Sequence, residues 1–318
     1  MTPTSTRLTA ARLTAVQLTS ALRALRGRSV PCVQSAAGHE PAAAVLARSS
    51  RPAADLVRAR AVRAGLAPDG AAELAGRVAR LTDREAWQVV EPLRPAPGAD
   101  VLRFGTAAAR QVDETSCGAA VLAMLAAQAD PALALWLVTG EHVGEEPAAL
   151  DGVAPVSSGP QGRLAALQAA LHVRGTRRAL LGALPWPTAL GTPPWGAARV
   201  ATEVCAGGLG VAYRSVMVDD TRPDEVRAVL ARARRSLAHG VPVPLYTGGD
   251  TSHGLAAAVP RHVVLLTGAD AAGLRLYEPS TGRELVLPEE AVLDGGVPRA
   301  AYGGWSHVCW ALLPVRRA

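Results

Sequence analysis

The spacing of apolar positions divides the chain into a helical first part and a mixed second part. Leu8, Ala11, Ala15, Leu18, Leu22 and Leu25 recur at three and four residues and share one helical face. Further helices are expected at about 41–49, 53–65 and 70–82, punctuated by Pro52 and by Pro68-Asp69-Gly70. "EPLRPAPGAD" then sets Pro92, Pro95, Pro97 and Gly98 in a rigid, turn-rich connection. A boundary is expected there, between a helical region 1–95 of unknown role and a second unit, 96–318.

Beyond the boundary, "VLRF" reads as a short strand and residues 116–129 as a helix, with Pro131 soon after. "LALWLVTG" is a second apolar helix, and residues 161–175 have clean helical periodicity with a Gly stop. Residues 185–196 hold Pro185, Pro187, Pro193, Pro194, Trp186 and Trp195 and read as a structured loop before a helix at 197–206. Alternation begins at "VAYRSVMV" (211–218) and is interrupted by a helix at 223–238, capped by Thr221 or Asp224. It resumes in "VPVPLY", "RHVVLLTG", "LRLYEP", "RELVLP" and "HVCWALLP". Helices followed by strands joined through tight turns predict an α+β domain, a helical lobe on a twisted, barrel-like antiparallel sheet.

Composition narrows the function classes. Apolar residues make up 49% of the 318 positions, enough for a substantial core. The net charge is +6, but all 33 basic residues are arginines, dispersed and not interleaved with aromatics, so no nucleic-acid partner is expected. The absence of lysine beside the Ala, Gly and Pro load points to a coding bias such as that of high-GC bacteria. No stretch of about 18 uninterrupted apolar residues occurs, so no membrane span is expected. Thr and Arg interrupt the apolar N-terminus, which argues against a secretory signal and for a cytoplasmic location. The N-terminal helices are candidates to dock a partner. Cys32, Cys117, Cys205 and Cys309 form no CxxC pair and no zinc-spaced cluster, so neither metal nor cofactor is expected.

Candidate chemistry centres on "QVDETSCGAA". Thr115 or Ser116 is placed to cap the helix that Cys117 opens. In that first turn, unpaired N–H groups and the helix dipole favour an anion, and a thiolate is the reactive form of cysteine. Gly118 leaves room for a substrate or a facing strand. Gln111 can aim an amide at a developing oxyanion beside the Cys117 N–H. The base must come from elsewhere. His262, heading the strand "HVVLLTG", is the candidate, with His253 in "TGGDTSHG" the rival. A hairpin through "GADAAG" would bring Glu278 beside His262 to orient the imidazole. Cys205 and Cys309 read as buried structural thiols, Cys32 as a loop residue. Trp186 and Trp195 read either as groove lining or as ordinary packing.

Gln111, five residues, Cys117-Gly118, then His262 leading a Val/Leu strand, then an acid before Pro279, resembles the papain-like cysteine peptidases of the C39-like kind. The resemblance covers about 105–290. It implies a papain-like fold in which a helix carries the cysteine and neighbouring strands carry the histidine and acid. It also implies hydrolysis of a peptide or protein substrate by Cys117, His262 and Glu278, with Gln111 as oxyanion donor. Those peptidases usually have Asp or Asn where this chain has Glu278. Two other readings stay open: a Cys-dependent acyltransferase or transglutaminase, and a weakened or non-catalytic module binding an extended peptide by strand addition.

Overall fold

The computed structural model describes residues 51–156, 159–180, 182–219, 222–249, 260–293 and 296–316. The helices expected at 8–25 and 41–49, Cys32, Thr221 and His253 lie outside the described residues. The architecture is α+β.

Three short helices come first: α1 (Ala54–Ala64), α2 (Pro68–Val78) and α3 (Asp83–Val90). Pro68 opens α2 at its first turn, where a missing N–H costs nothing, so Pro68-Asp69-Gly70 starts a helix rather than separating two. The expected helix at 70–82 stops at Val78, and α3 was not anticipated. Its start is a capping box, with Thr82 Oγ1 accepting from the Glu85 N–H and Glu85 reaching back to the Thr82 N–H. The Thr-x-x-Glu spacing announces it. Val57, Ala61, Leu74, Val78, Val89 and Val90 all join one core with α4 (Cys117–Ala129) and α5 (Pro131–Thr139). The connection at 92–98 therefore joins parts of one core, and the apolar faces of α1–α3 are spent inside it.

The strands β1 (Arg103–Phe104) and β2 (Ala107–Ala108) form a small ribbon, of which only the first was expected. Helix α4 is buried on every side, as its all-apolar sequence requires. Asp130 caps α5, its Oδ1 accepting from the N–H groups of Ala132 and Leu133. Helices α6 (Pro160–Thr176) and α7 (Pro194–Cys205) pack on α4. No single helix among the described residues is long and apolar enough to cross a membrane.

The sheet has six antiparallel strands: β3 (Val211–Met217), β4 (Val243–Gly248), β5 (His262–Asp270), β6 (Gly273–Glu278), β7 (Arg283–Leu287) and β8 (His307–Arg316). Their order is β3-β8-β4-β5-β6-β7, an open sheet with β3 and β7 at its edges rather than a barrel. Helix α8 (Pro223–Ala238) covers one face, beside the short α9 (Glu290–Leu293). Arg222 holds the cap position of α8 without a side-chain bond, and Asp224, the described candidate for the cap, lies in the first turn.

Period-2 alternation sorts the strand residues between two cores. Val263, Leu265, Tyr277, Tyr246 and Leu312 join the core that contains α4. Val264, Leu266, Leu276, Leu245 and Leu313 join Val226, Val229 and Leu230 of α8. The sheet thus lies between the helical lobe and α8, and β5 runs through its middle.

Candidate active site

Helix α4 packs on β5, which brings Cys117, at the first helical position, to His262, at the first position of the strand. Gly118 is what allows the approach. A methyl there would lie 3.0 Å from Thr192 Cβ and 3.6 Å from Val263 Cγ2, so its missing side chain admits a facing strand and a neighbouring loop.

The β5–β6 hairpin supplies the third group. Leu265 pairs with Tyr277, which sets Glu278 diagonally across from His262 on the same face. His262 Nε2 and Glu278 Oε1 are 2.8 Å apart. With Nε2 so engaged, Nδ1 is the nitrogen available to the Cys117 thiol, which interacts with the ring by hydrogen bond and charge. All three are shielded from water: Cys117 is 5% exposed, His262 6% and Glu278 2%. Electrostatic attraction is strong in such surroundings.

A tight turn over residues 278–282 fixes the Glu278 carboxylate. Oε1 also accepts from the Ser280 N–H at 2.8 Å, while Oε2 accepts from the Thr281 N–H at 2.9 Å and Thr281 Oγ1 at 2.8 Å. Burial works to raise the carboxyl, but these donors and His262 outweigh it and hold it down at about 2. Burial likewise works to lower His262, and its bonds to Cys117 and Glu278 reverse that, pushing it up to about 9.

The start of α4 differs from expectation. Ser116 occupies the cap position, but neither it nor Thr115 caps the helix. The Ser116 hydroxyl turns back onto the preceding loop, accepting from the N–H groups of Val112 and Asp113 and donating to the Asp113 carbonyl. Thr115 donates through both N–H and Oγ1 to Asp113 Oδ1, which lowers the Asp113 carboxyl. Neither hydroxyl takes a first-turn N–H of α4, so the helix start is left to other acceptors.

Gln111 stands where the loop before α4 meets the turn after β6. Its N–H donates to the Pro279 carbonyl at 2.9 Å, its Nε2 donates to the Asp113 carbonyl at 2.8 Å, and its Oε1 accepts from Ser280 Oγ at 3.4 Å. One amide hydrogen is therefore engaged by Asp113.

Several supports escaped the sequence reading. Tyr277 Oη donates to the Ala109 carbonyl at 2.7 Å, and Tyr246 Oη donates to the Thr192 carbonyl at 2.9 Å. These buried phenols tie the sheet to loops of the helical lobe on both sides of Cys117. Their signal was a tyrosine closing an apolar strand, since a buried Oη needs a partner. Gly303, at φ +66°, packs directly on the His262 ring, and any side chain there would collide with Cδ2. Trp186 and Trp195 stack edge to face at 5.5 Å, and Trp195, in the first turn of α7 and 42% exposed, donates through Nε1 to the Ala179 carbonyl. Cys205 and Cys309 are fully buried, and burial raises the Cys205 thiol strongly. Among the described residues, no cluster of three or more His, Cys, Asp or Glu is arranged to hold a metal ion.

No known protein family and no curated protein matches this chain.

Proposed function

We propose that the chain is a thiol-dependent peptidase or amidase of the papain-like, C39-like kind. The observation that carries this reading is the buried line Cys117–His262–Glu278, drawn from a helix start and two paired strands. A thiol beside an imidazole whose far nitrogen is held by a carboxylate is the arrangement that activates a cysteine nucleophile.

Cys117 Sγ attacks the carbonyl carbon of a peptide or amide while His262 holds the thiol proton. The carbonyl oxygen becomes an oxyanion near the start of α4, where the Cys117 N–H and the second amide hydrogen of Gln111 serve as donors. His262 then gives its proton to the departing amine, leaving a thioester that water hydrolyses with His262 as base. Glu278 keeps the ring oriented and stabilises its charged form throughout.

Competitive labelling with iodoacetamide at neutral pH tests the reading. Cys117 is expected to react at least about 100-fold faster than Cys205 and Cys309, because the thiolate is the reacting species. Equal rates in the folded protein would sink the nucleophile assignment and favour a non-catalytic peptide-binding module. Transfer of the acyl group to an added amine, in preference to water, would redirect the assignment to an acyltransferase.

A further inference from the structure

Gln168 lies in the middle of α6, on the face that also buries Leu164, Leu167 and Leu171, and is 1% exposed. An apolar residue is the default at such a position, because a buried amide costs free energy unless both its ends are paired. Both ends are paired here, and both to backbone flanking one residue. Gln168 Nε2 donates to the Arg110 carbonyl at 2.8 Å, and its Oε1 accepts from the Val112 N–H at 3.2 Å. The residue between them is Gln111, whose own N–H is held by the Pro279 carbonyl.

We propose that Gln168 is a positioning residue for Gln111, locking the peptide groups on either side of it so that its amide meets the oxyanion already oriented. This inference rests on the peptidase reading above. The backbone of Gln111 is clamped from α6 on one side and from the turn after β6 on the other. Its side chain is steered by the Asp113 carbonyl, itself tied to Ser116 Oγ. Preorganised donors stabilise a developing charge because they need not reorient when it forms. Gln168 touches neither the thiol nor the imidazole in this scheme, so thiolate formation should not depend on it.

Two probes separate these effects. Iodoacetamide alkylates the Cys117 thiolate at a saturated carbon, releasing iodide, and forms no oxyanion. p-Nitrophenyl acetate acylates the same sulfur through a tetrahedral oxyanion: the Sγ–C bond forms, the ester C–O bond breaks and p-nitrophenolate leaves with the electron pair. Gln168→Met is expected to change the alkylation rate and its pH profile less than about twofold while acylation falls about tenfold or more. Gln111→Ala should show the same selective loss, and the double variant no further loss, since both changes remove one donor. Gln168→Glu retains an acceptor for Val112 but no amide donor for Arg110, and carries the same comparison if the methionine variant does not fold. An unchanged ratio of acylation to alkylation in the folded variant, equal losses in both rates, or additive losses in the double variant would overturn the positioning role. If the wild-type protein acylates Cys117 no faster than Cys205, the peptidase reading fails and this inference with it. Rapid wild-type acylation with an unchanged ratio in the variants removes Gln168 alone.

Discussion

The two ends of the Cys117–His262–Glu278 line are built on opposite plans. At the acid end, Glu278 accepts from four donors: His262 Nε2, the Ser280 N–H, the Thr281 N–H and Thr281 Oγ1. The carboxylate has little freedom left. At the cysteine end, the hydroxyl best placed to satisfy the helix start is turned away to brace the preceding loop. A group that only orients its neighbour gains from being saturated. Under the proposed function the cysteine end receives a transient charge, and such a site gains from donors without a permanent partner.

Removing the centre of the line tests the comparison most severely. His262→Ala should lower acylation of Cys117 by about 100-fold or more, the usual scale for losing a general base. The Cys117 labelling rate should then rise with pH like that of an ordinary thiol, which a rate–pH profile would reveal. A variant that labels like the wild type would show that the two lobes do not cooperate.

Glu278→Gln addresses the saturated end. The isosteric amide removes the charge that holds the imidazolium, so the His262 proton should be lost well below pH 9. Acylation should fall about tenfold or more, with the basic limb of its profile shifted to lower pH. An unmoved limb would mean that Glu278 braces the turn without tuning the histidine.

Stability should respond to pH from both partners. His262 is raised from 6.5 to about 9, so its contribution is full below 6.5 and is lost as pH rises through 9. Glu278 is lowered from 4.5 to about 2, so its contribution is full above 4.5 and is lost as pH falls through 2. The difference in melting temperature between the wild type and a His262→Ala/Glu278→Ala double variant should therefore be widest between about pH 4.5 and 6.5. A difference that does not vary with pH would remove the ion pair from the account.

The smallest effects are expected at the two tyrosine ties. Tyr246→Phe and Tyr277→Phe each lose one buried phenol bond and leave a carbonyl unpaired, at about 1–3 kcal/mol by chemical denaturation. Tyr277→Phe should disturb acylation more, because Ala109 leads to Gln111 and Thr192 does not. Equal effects would place the oxyanion donor outside the reach of the 109–111 segment.

Much of the fold was legible in local pattern. The helices at 116–129 and 161–175 and the strands led by His262 and ended by Glu278 follow from periodicity, because each buries one face or all of them. Helix α3 was missed although its capping box was written in Thr82 and Glu85, since the expected preceding helix was carried too far. The cap of α4 was misread for a different reason. Ser116 has three polar groups of the preceding loop within reach, and which bond its hydroxyl takes depends on the path of that loop. Gln168 gave a weak signal, one amide on an apolar face, with nothing local to say what it pairs with.

Sequence alone determined most of the elements and the residue types fit for thiol chemistry: a cysteine at a helix start, a histidine heading an apolar strand and an acid one hairpin away. These depend on side-chain period and turn residues, interactions that span a few positions. Only the tertiary structure decided that the helical region before residue 92 shares a core with the cysteine helix, that the turn over residues 278–282 holds Glu278 against His262, and that Gln111 is clamped from α6 and the turn after β6. The clamp on Gln111 joins segments far apart in the chain, as Gln168 with Arg110 (58 residues) shows, and Tyr277 with Ala109 (168) ties the same loop to the sheet. Contacts of that range form only when the lobes close on one another, so no window of sequence contains them.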